Sequence, residues 1–113
     1  SQLSYSELAA RVEAFAQAVA ALPADSSKHP TVALCLARSV AQAVCLFGAM
    51  RAGRGTLQLA TDLPLARKRA LLELSGAQAT AAAAAEAGEL AGLCSFVLQV
   101  DAGGRLVDPT QRK

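Results

Sequence analysis

The sequence predicts an α/β protein, a small doubly wound parallel sheet of about four strands with helices on both faces. Two observations carry this expectation. Stretches whose apolar residues recur at helical spacing alternate with short apolar runs. Those runs are apolar on both sides, as strands covered by helices on two faces require, so the connections must cross over through helices. With 113 residues the chain is long enough for one domain, over 1–113, and too short for two.

The first element follows from Tyr5, Leu8, Val12, Phe15, Val19 and Leu22, whose steps of three and four line one face of a helix. Ser4 with Glu7 three residues later forms a capping box, so the helix should start near Tyr5 and end at Leu22-Pro23. The polar run from Ala24 to Pro30 reads as a surface loop, and Thr31 to Leu36 as a buried strand. Ser39 can cap a second helix, in which Val40, Val44, Phe47 and Met50 share a face and Gly53 is the left-handed terminator. Thr56 to Leu59 is a second strand.

Asp62-Leu63-Pro64 opens a third helix, with Leu65, Leu71, Leu72 and Leu74 packing, Arg67, Lys68 and Arg69 on its exposed side, and Ser75-Gly76 as its end. Gln78 to Ala81 reads as a third strand against the low strand propensity of alanine. Ala82 to Leu93 reads as an alanine-rich helix and Ser95 to Val100 as the fourth strand. The Asp101-Ala102-Gly103-Gly104 turn can return a short strand at Arg105 to Val107. Val32, Leu34, Leu36, Leu57, Leu59, Phe96 and Leu98 are the expected sheet core.

Composition narrows the function classes. At 53% hydrophobic and 18% charged residues, with mean hydropathy +0.33, the chain is too apolar for intrinsic disorder, although 27 alanines make the core thinner than that fraction suggests. A net charge of +2, scattered Lys and Arg, and four aromatics, Tyr5, Phe15, Phe47 and Phe96, argue against a nucleic-acid platform. Cys35, Cys45 and Cys94 are odd in number and lack C-x-x-C spacing, which argues against a disulfide framework or a zinc site. No apolar stretch is long enough for a membrane span and no secretory leader is visible, so a cytoplasmic setting is expected. The first residue is Ser1 rather than methionine and the chain stops at the charged Gln111-Arg112-Lys113. A segment of a longer polypeptide is the expectation, although loss of a start residue would look the same.

Chemistry in such a sheet belongs in the loops after the strands, and the loops after Leu36, Leu59 and Val100 hold no convincing constellation. Neither a P-loop nor a G-x-G-x-x-G turn follows the first strand, and Gly53-x-Gly55 follows a helix, as a helix-end turn does. His29, the single histidine, falls in a polar loop without an identifiable carboxylate partner, which gives no triad. The three cysteines fall within or at the edge of predicted elements and read as buried inert thiols. Glu7, Glu13, Asp62, Glu73, Glu86 and Glu89 take capping or helix-surface positions, and Arg67-Lys68-Arg69 reads as a solvated face. No catalytic, cofactor-binding or metal-ligating residue is therefore assigned.

Two stretches carry a resemblance. Leu3-Ser4-Tyr5-Ser6-Glu7-Leu8 resembles the L-[ST]-Y-x-E-L motif of adenylation domains of nonribosomal peptide synthetases, members of the adenylate-forming acyl-ligase superfamily. Met50 to Pro64 resembles their second motif, of the type L-K-A-G-x-A-Y-x-P-L-D-P-x-x-P, and the frames at Val32 to Ser39 and Leu71 to Ala77 are similar too. Gln58 and Ala60 replace the proline and aspartate of the second motif, and Leu57 or Thr56 its aromatic residue. Both motifs are structural in that family, and its phosphate loop, ribose-binding aspartate and catalytic lysine lie further along, so the resemblance places none of its functional residues here.

The resemblance implies a truncated, degenerate adenylation domain acting as a non-catalytic spacer or docking element in a peptide or polyketide megasynthase, with no cofactor of its own. Its implied partners are flanking domains of the same synthase, or else a second copy of the chain or a carrier protein. Two other readings stay open: an excised N-terminal piece of an active adenylating enzyme, and an independent flavodoxin-like nucleotide-binding protein, against which the missing phosphate turn counts.

Overall fold

In a computed structural model, which describes residues 4–22, 29–94 and 96–107, helices and strands alternate as α1 (Tyr5–Ala20), β1 (His29–Cys35), α2 (Val40–Arg51), β2 (Gly55–Gln58), α3 (Leu65–Ser75), β3 (Ala77–Ala82), α4 (Ala84–Leu90) and β4 (Phe96–Gln99). The four strands form one sheet in the order β2-β1-β3-β4, with every neighbouring pair parallel. The α/β class with a parallel sheet therefore holds.

Each boundary has a local cause. The Ser4 hydroxyl accepts from the Glu7 N–H while the Glu7 carboxylate accepts from the Ser4 N–H, closing the expected capping box at the start of α1. Ser39 caps α2 by accepting from the Gln42 N–H. At the other end of α2 the Gly53 N–H donates to Met50 O and the Arg54 N–H to Ala49 O, a Schellman closure that needs the left-handed backbone of Gly53, at φ 77°. Gly76, at φ 67°, ends α3. The Asp101–Gly104 turn returns the chain to a single antiparallel bridge, Val100 with Leu106, rather than a full strand.

Alternation along β1 divides the interior in two. Val32, Leu34 and Leu36 join Phe15 and Val19 of α1 and Val44 and Cys45 of α2 on one face. Ala33 and Cys35 join Leu72 of α3 and Ala87 and Leu90 of α4 on the other. Helices thus cover both faces, as a doubly wound sheet requires. β3 reads Ala-Gln-Ala-Thr-Ala-Ala and is buried throughout; its weak propensity is overridden by pairing with β1 on one edge and β4 on the other. Thr80 within it meets its hydroxyl requirement at Cys94, whose Sγ lies 3.1 Å away.

The structure corrects several expectations. Lys68 is buried, not solvated, and only Arg67 and Arg69 of that cluster are exposed. Leu74 is 86% exposed and Leu65 is also largely exposed, leaving Leu72, with partial help from Leu71, as the packing face of α3. Of the expected α2 stripe only Val44 is buried; Val40, Phe47 and Met50 turn outward, and Ala41, Cys45, Gly48 and Ala49 complete the buried face. Small residues win that face because α1 lies too close for larger ones. Ala82 belongs to β3 and α4 is shorter than the alanine run, while Leu57, Phe96 and Leu98 are only partly buried. The backbone of His29 opens β1 rather than continuing a loop. Residues 23–28, Ser95 and the Gln111-Arg112-Lys113 end lie outside the described residues. No described helix is long and apolar enough to cross a membrane.

Gly48 shows how close the two helices come. A Cβ there would meet Phe15 Cδ2 at 2.8 Å and the Val12 carbonyl oxygen at 3.0 Å. Gly48→Ala should therefore lower stability by about 1 kcal/mol, an overpacking cost of about 2 kcal/mol outweighing a helix-propensity gain of about 1 kcal/mol. Urea unfolding checks this, and an increase in stability would show that α1 yields without cost.

Candidate functional site

Strand order makes one place special. From β1 the chain passes through α2 to β2 on one side, then through α3 back across to β3 on the other, so the direction of winding reverses between β1 and β3. Open α/β sheets hold ligands at the carboxyl ends of the strands at this switch point. A cleft of about 230 Å³ lies there, walled by Leu36 and Ser39 after β1, Thr61 after β2, Ala83 and Glu86 at the start of α4, and Asp101 after β4.

Two polar side chains of this cleft, Ser39 and Asp101, are committed to nearby backbone. Ser39 Oγ accepts from the Gln42 N–H and donates to Ala37 O at 2.9 Å, so the start of α2 is closed by its own cap. Asp101 Oδ1 accepts from the Gly103 and Arg105 N–H groups, both at 2.9 Å, and so shapes the turn. None of the lining residues is basic, and Glu86 and Asp101 make the cleft acidic. An incoming phosphate would meet repulsion where a nucleotide site supplies cations and free N–H groups.

Behind the cleft lies the residue that sequence reasoning missed. Lys68 is 1% exposed, and its Nζ donates to Thr61 O at 3.0 Å and to Glu89 Oε2 at 3.3 Å. This ammonium ties the cleft wall after β2 to α4. A signal was present: Leu65, Lys68 and Leu72 fall at i, i+3 and i+7, so Lys68 stands in line with the one leucine that α3 buries. Three consecutive basic residues hid the fact that successive side chains on a helix point about 100° apart, so one of the three can face the interior.

The other singled-out residues do not converge on the cleft. Burial pushes the Cys45 thiol up to about 12. Burial also raises Cys35, helped by Glu86 and Glu89 and opposed by Lys68. Neither is a nucleophile near neutral pH, as expected of buried thiols, whereas Cys94 is only half-buried, contrary to expectation. Glu7 is engaged in its capping box and Glu13 pairs with Arg51 on the α1–α2 surface. Among the described residues no three His, Cys, Asp or Glu side chains gather as metal ligands would.

A second feature is apolar. Tyr5, Leu8, Ala9 and Val12 of α1 and Phe47 of α2 line an open groove of about 870 Å³, with Glu13 and Arg51 on its rim. Tyr5 is 86% exposed and Phe47 51%, far more than large apolar groups usually show together on a monomer.

The family model described as AMP-binding enzyme matches residues 1–108. Among solved structures, ATP-bound MatB from Rhodopseudomonas palustris is similar at a TM-score of 0.77 and 22% identity, covering 94% of this chain and 22% of that one. A benzoate CoA ligase from Burkholderia xenovorans LB400 has a TM-score of 0.71 and 22% identity, over 92% of this chain and 22% of that one. IdnL7 has a TM-score of 0.66 and 27% identity, over 97% of this chain and 24% of that one. No curated protein is significantly similar in sequence. The chain thus spans about a fifth to a quarter of the length of these solved structures.

Proposed function

The chain belongs to the AMP-binding enzyme family, and from that premise we propose that it is a non-catalytic structural unit of a longer adenylate-forming polypeptide, with the ATP chemistry residing in residues outside it. The switch-point cleft carries this reading. It is acidic, its helix cap is satisfied internally, and no lining residue is cationic, whereas stabilising a transferring phosphoryl or adenylyl group depends on placed donors and positive charge. The share of 22% of the matched chains supports a unit that is one part of a larger whole.

The role is spacing or docking, and the face that serves it is the α1–α2 groove with Tyr5 and Phe47. Its occupant is flanking polypeptide of the same adenylate-forming chain, since that is what the length of the matched structures supplies. The Leu3–Leu8 and Met50–Pro64 motifs favour a peptide or polyketide synthase as the parent, while the likeness to the benzoate CoA ligase bears on the fold alone. A second reading, an N-terminal piece of a fully active adenylating enzyme, draws on the same coverage. In both, this unit by itself holds no nucleotide. Amino-acid- or acid-dependent exchange of pyrophosphate into ATP is the test, over a panel of amino acids and carboxylic acids. Exchange at the level of a no-protein control is expected; substrate-dependent exchange by the purified chain would overturn the proposal.

A further inference from the structure

Beside the groove, with which it shares Ala10, α1 and the chain after β4 line a pocket of about 350 Å³ whose polar side the proposed structural role does not use. Its polar wall is Arg11, Arg105 and Glu7, and its apolar wall is Ala10, Ala14 and Leu106. Arg11 Nη1 donates to Gly103 O at 2.9 Å, the only hydrogen bond of that guanidinium among the described residues. The Arg105 guanidinium makes neither a hydrogen bond nor an ion pair with a described residue, although its backbone N–H is fixed by Asp101. Two forks of donors therefore face one pocket with most of their N–H groups open.

The backbone around them is built tightly. Gly104 sits at φ 85°, and a Cβ there would come within 2.8 Å of Val44, so the turn carrying Arg105 is seated directly on α2. A Cβ on Gly103 would reach 2.7 Å from Arg11 Nη1, so its absence lets the guanidinium approach the turn. Glu7 does not neutralise the pair. Its carboxylate is held below the usual range first by the Ser4 backbone N–H and hydroxyl, and further by Arg11 and Arg105. With one oxygen committed to the helix cap, a single negative charge stands against two positive ones.

We propose that this pocket binds an anionic oxygen group, a carboxylate or a phosphate, on a small molecule whose short apolar part lies against Ala10, Ala14 and Leu106. Guanidinium forks match both anions bidentately, and the adjoining methyl surface favours a ligand that is not a bare ion. Open arginines in water give weak binding, with a dissociation constant on the order of 1–10 mM.

The test is an amide NMR titration of the full chain with butyrate, and separately with inorganic phosphate, at constant ionic strength against chloride. Saturable shifts at Gly103, Gly104 and Leu106 are expected, weakened about tenfold in Arg105→Gln, a change at an exposed side chain with no described partner. Arg11→Gln should weaken binding as well and also move the Gly103 resonance without ligand, because it removes that hydrogen bond. Saturation by either anion supports the proposal, and the tighter of the two assigns the source. Shifts that stay linear to about 50 mM of both anions, or that persist unchanged in Arg105→Gln, overturn it. A failure here would leave the exchange result untouched.

Discussion

Leu34→Ala is expected to lower the unfolding free energy by about 2–5 kcal/mol, a large share of the roughly 5–15 kcal/mol available to a domain. Leu34 is fully buried in the central strand, whose neighbours on the two edges are Gln58 of β2 and Ala81 of β3. Its side chain packs in the cluster with Phe15, Val44 and Val100. Relaxation into the vacated space is limited because so many surrounding residues, Ala41, Ala49 and Ala81 among them, are alanines with no rotamer to swing inward. The cavity therefore persists and the upper half of the range applies. Urea unfolding followed by circular dichroism measures it, with an unchanged slope against denaturant. A loss below about 1 kcal/mol would mean that the sheet interior is far looser than its burial indicates.

The buried lysine gives the second large effect, and its sign depends on which partner is removed. Glu89→Ala should destabilise by about 2 kcal/mol, because it leaves the Lys68 ammonium in the interior with only Thr61 O as acceptor. The value falls below that of a fully buried pair because the Glu89 side chain is 37% exposed while that of Lys68 is 2% exposed. Lys68→Met keeps the stem packing and removes the charge, so it should change stability by less than about 1 kcal/mol in either direction. Adding Lys68→Met to Glu89→Ala should then recover most of the loss. A neutral Glu89→Ala beside a strongly destabilising Lys68→Met would show that the ammonium is held by the Thr61 carbonyl rather than by the carboxylate.

Much of this architecture was legible from local rules that tertiary contacts did not oppose. The Ser4–Glu7 box, the Ser39 cap and the Gly53 terminator all involve groups within a few residues of one another, so their outcome is decided locally. The doubly wound class followed from runs such as Thr31–Leu36, apolar on both sides. Legibility failed where the deciding neighbour is distant in sequence. Lys68 is buried because Glu89 and the Thr61 carbonyl meet it, and nothing in Arg67-Lys68-Arg69 signals either partner. Phe47 and Met50 point outward because Gly48 lets Phe15 occupy the inner face. The acidity of the cleft was hidden for the same reason, as Glu86 at the start of α4 and Asp101 in the turn after β4 are brought together only by the sheet order. The Arg11 and Arg105 pocket joins residues at opposite ends of the chain and was equally invisible.

Calorimetric titration of the chain with ATP and magnesium asks whether these residues hold a nucleotide, because a structural unit with an acidic switch point, where Ser39 caps α2, lacks what a nucleotide site supplies. No saturable heat is expected at ATP concentrations up to about 1 mM, which corresponds to a binding free energy weaker than roughly −4 kcal/mol. Saturable binding with a dissociation constant in the micromolar range would contradict it and place a working nucleotide site within these residues.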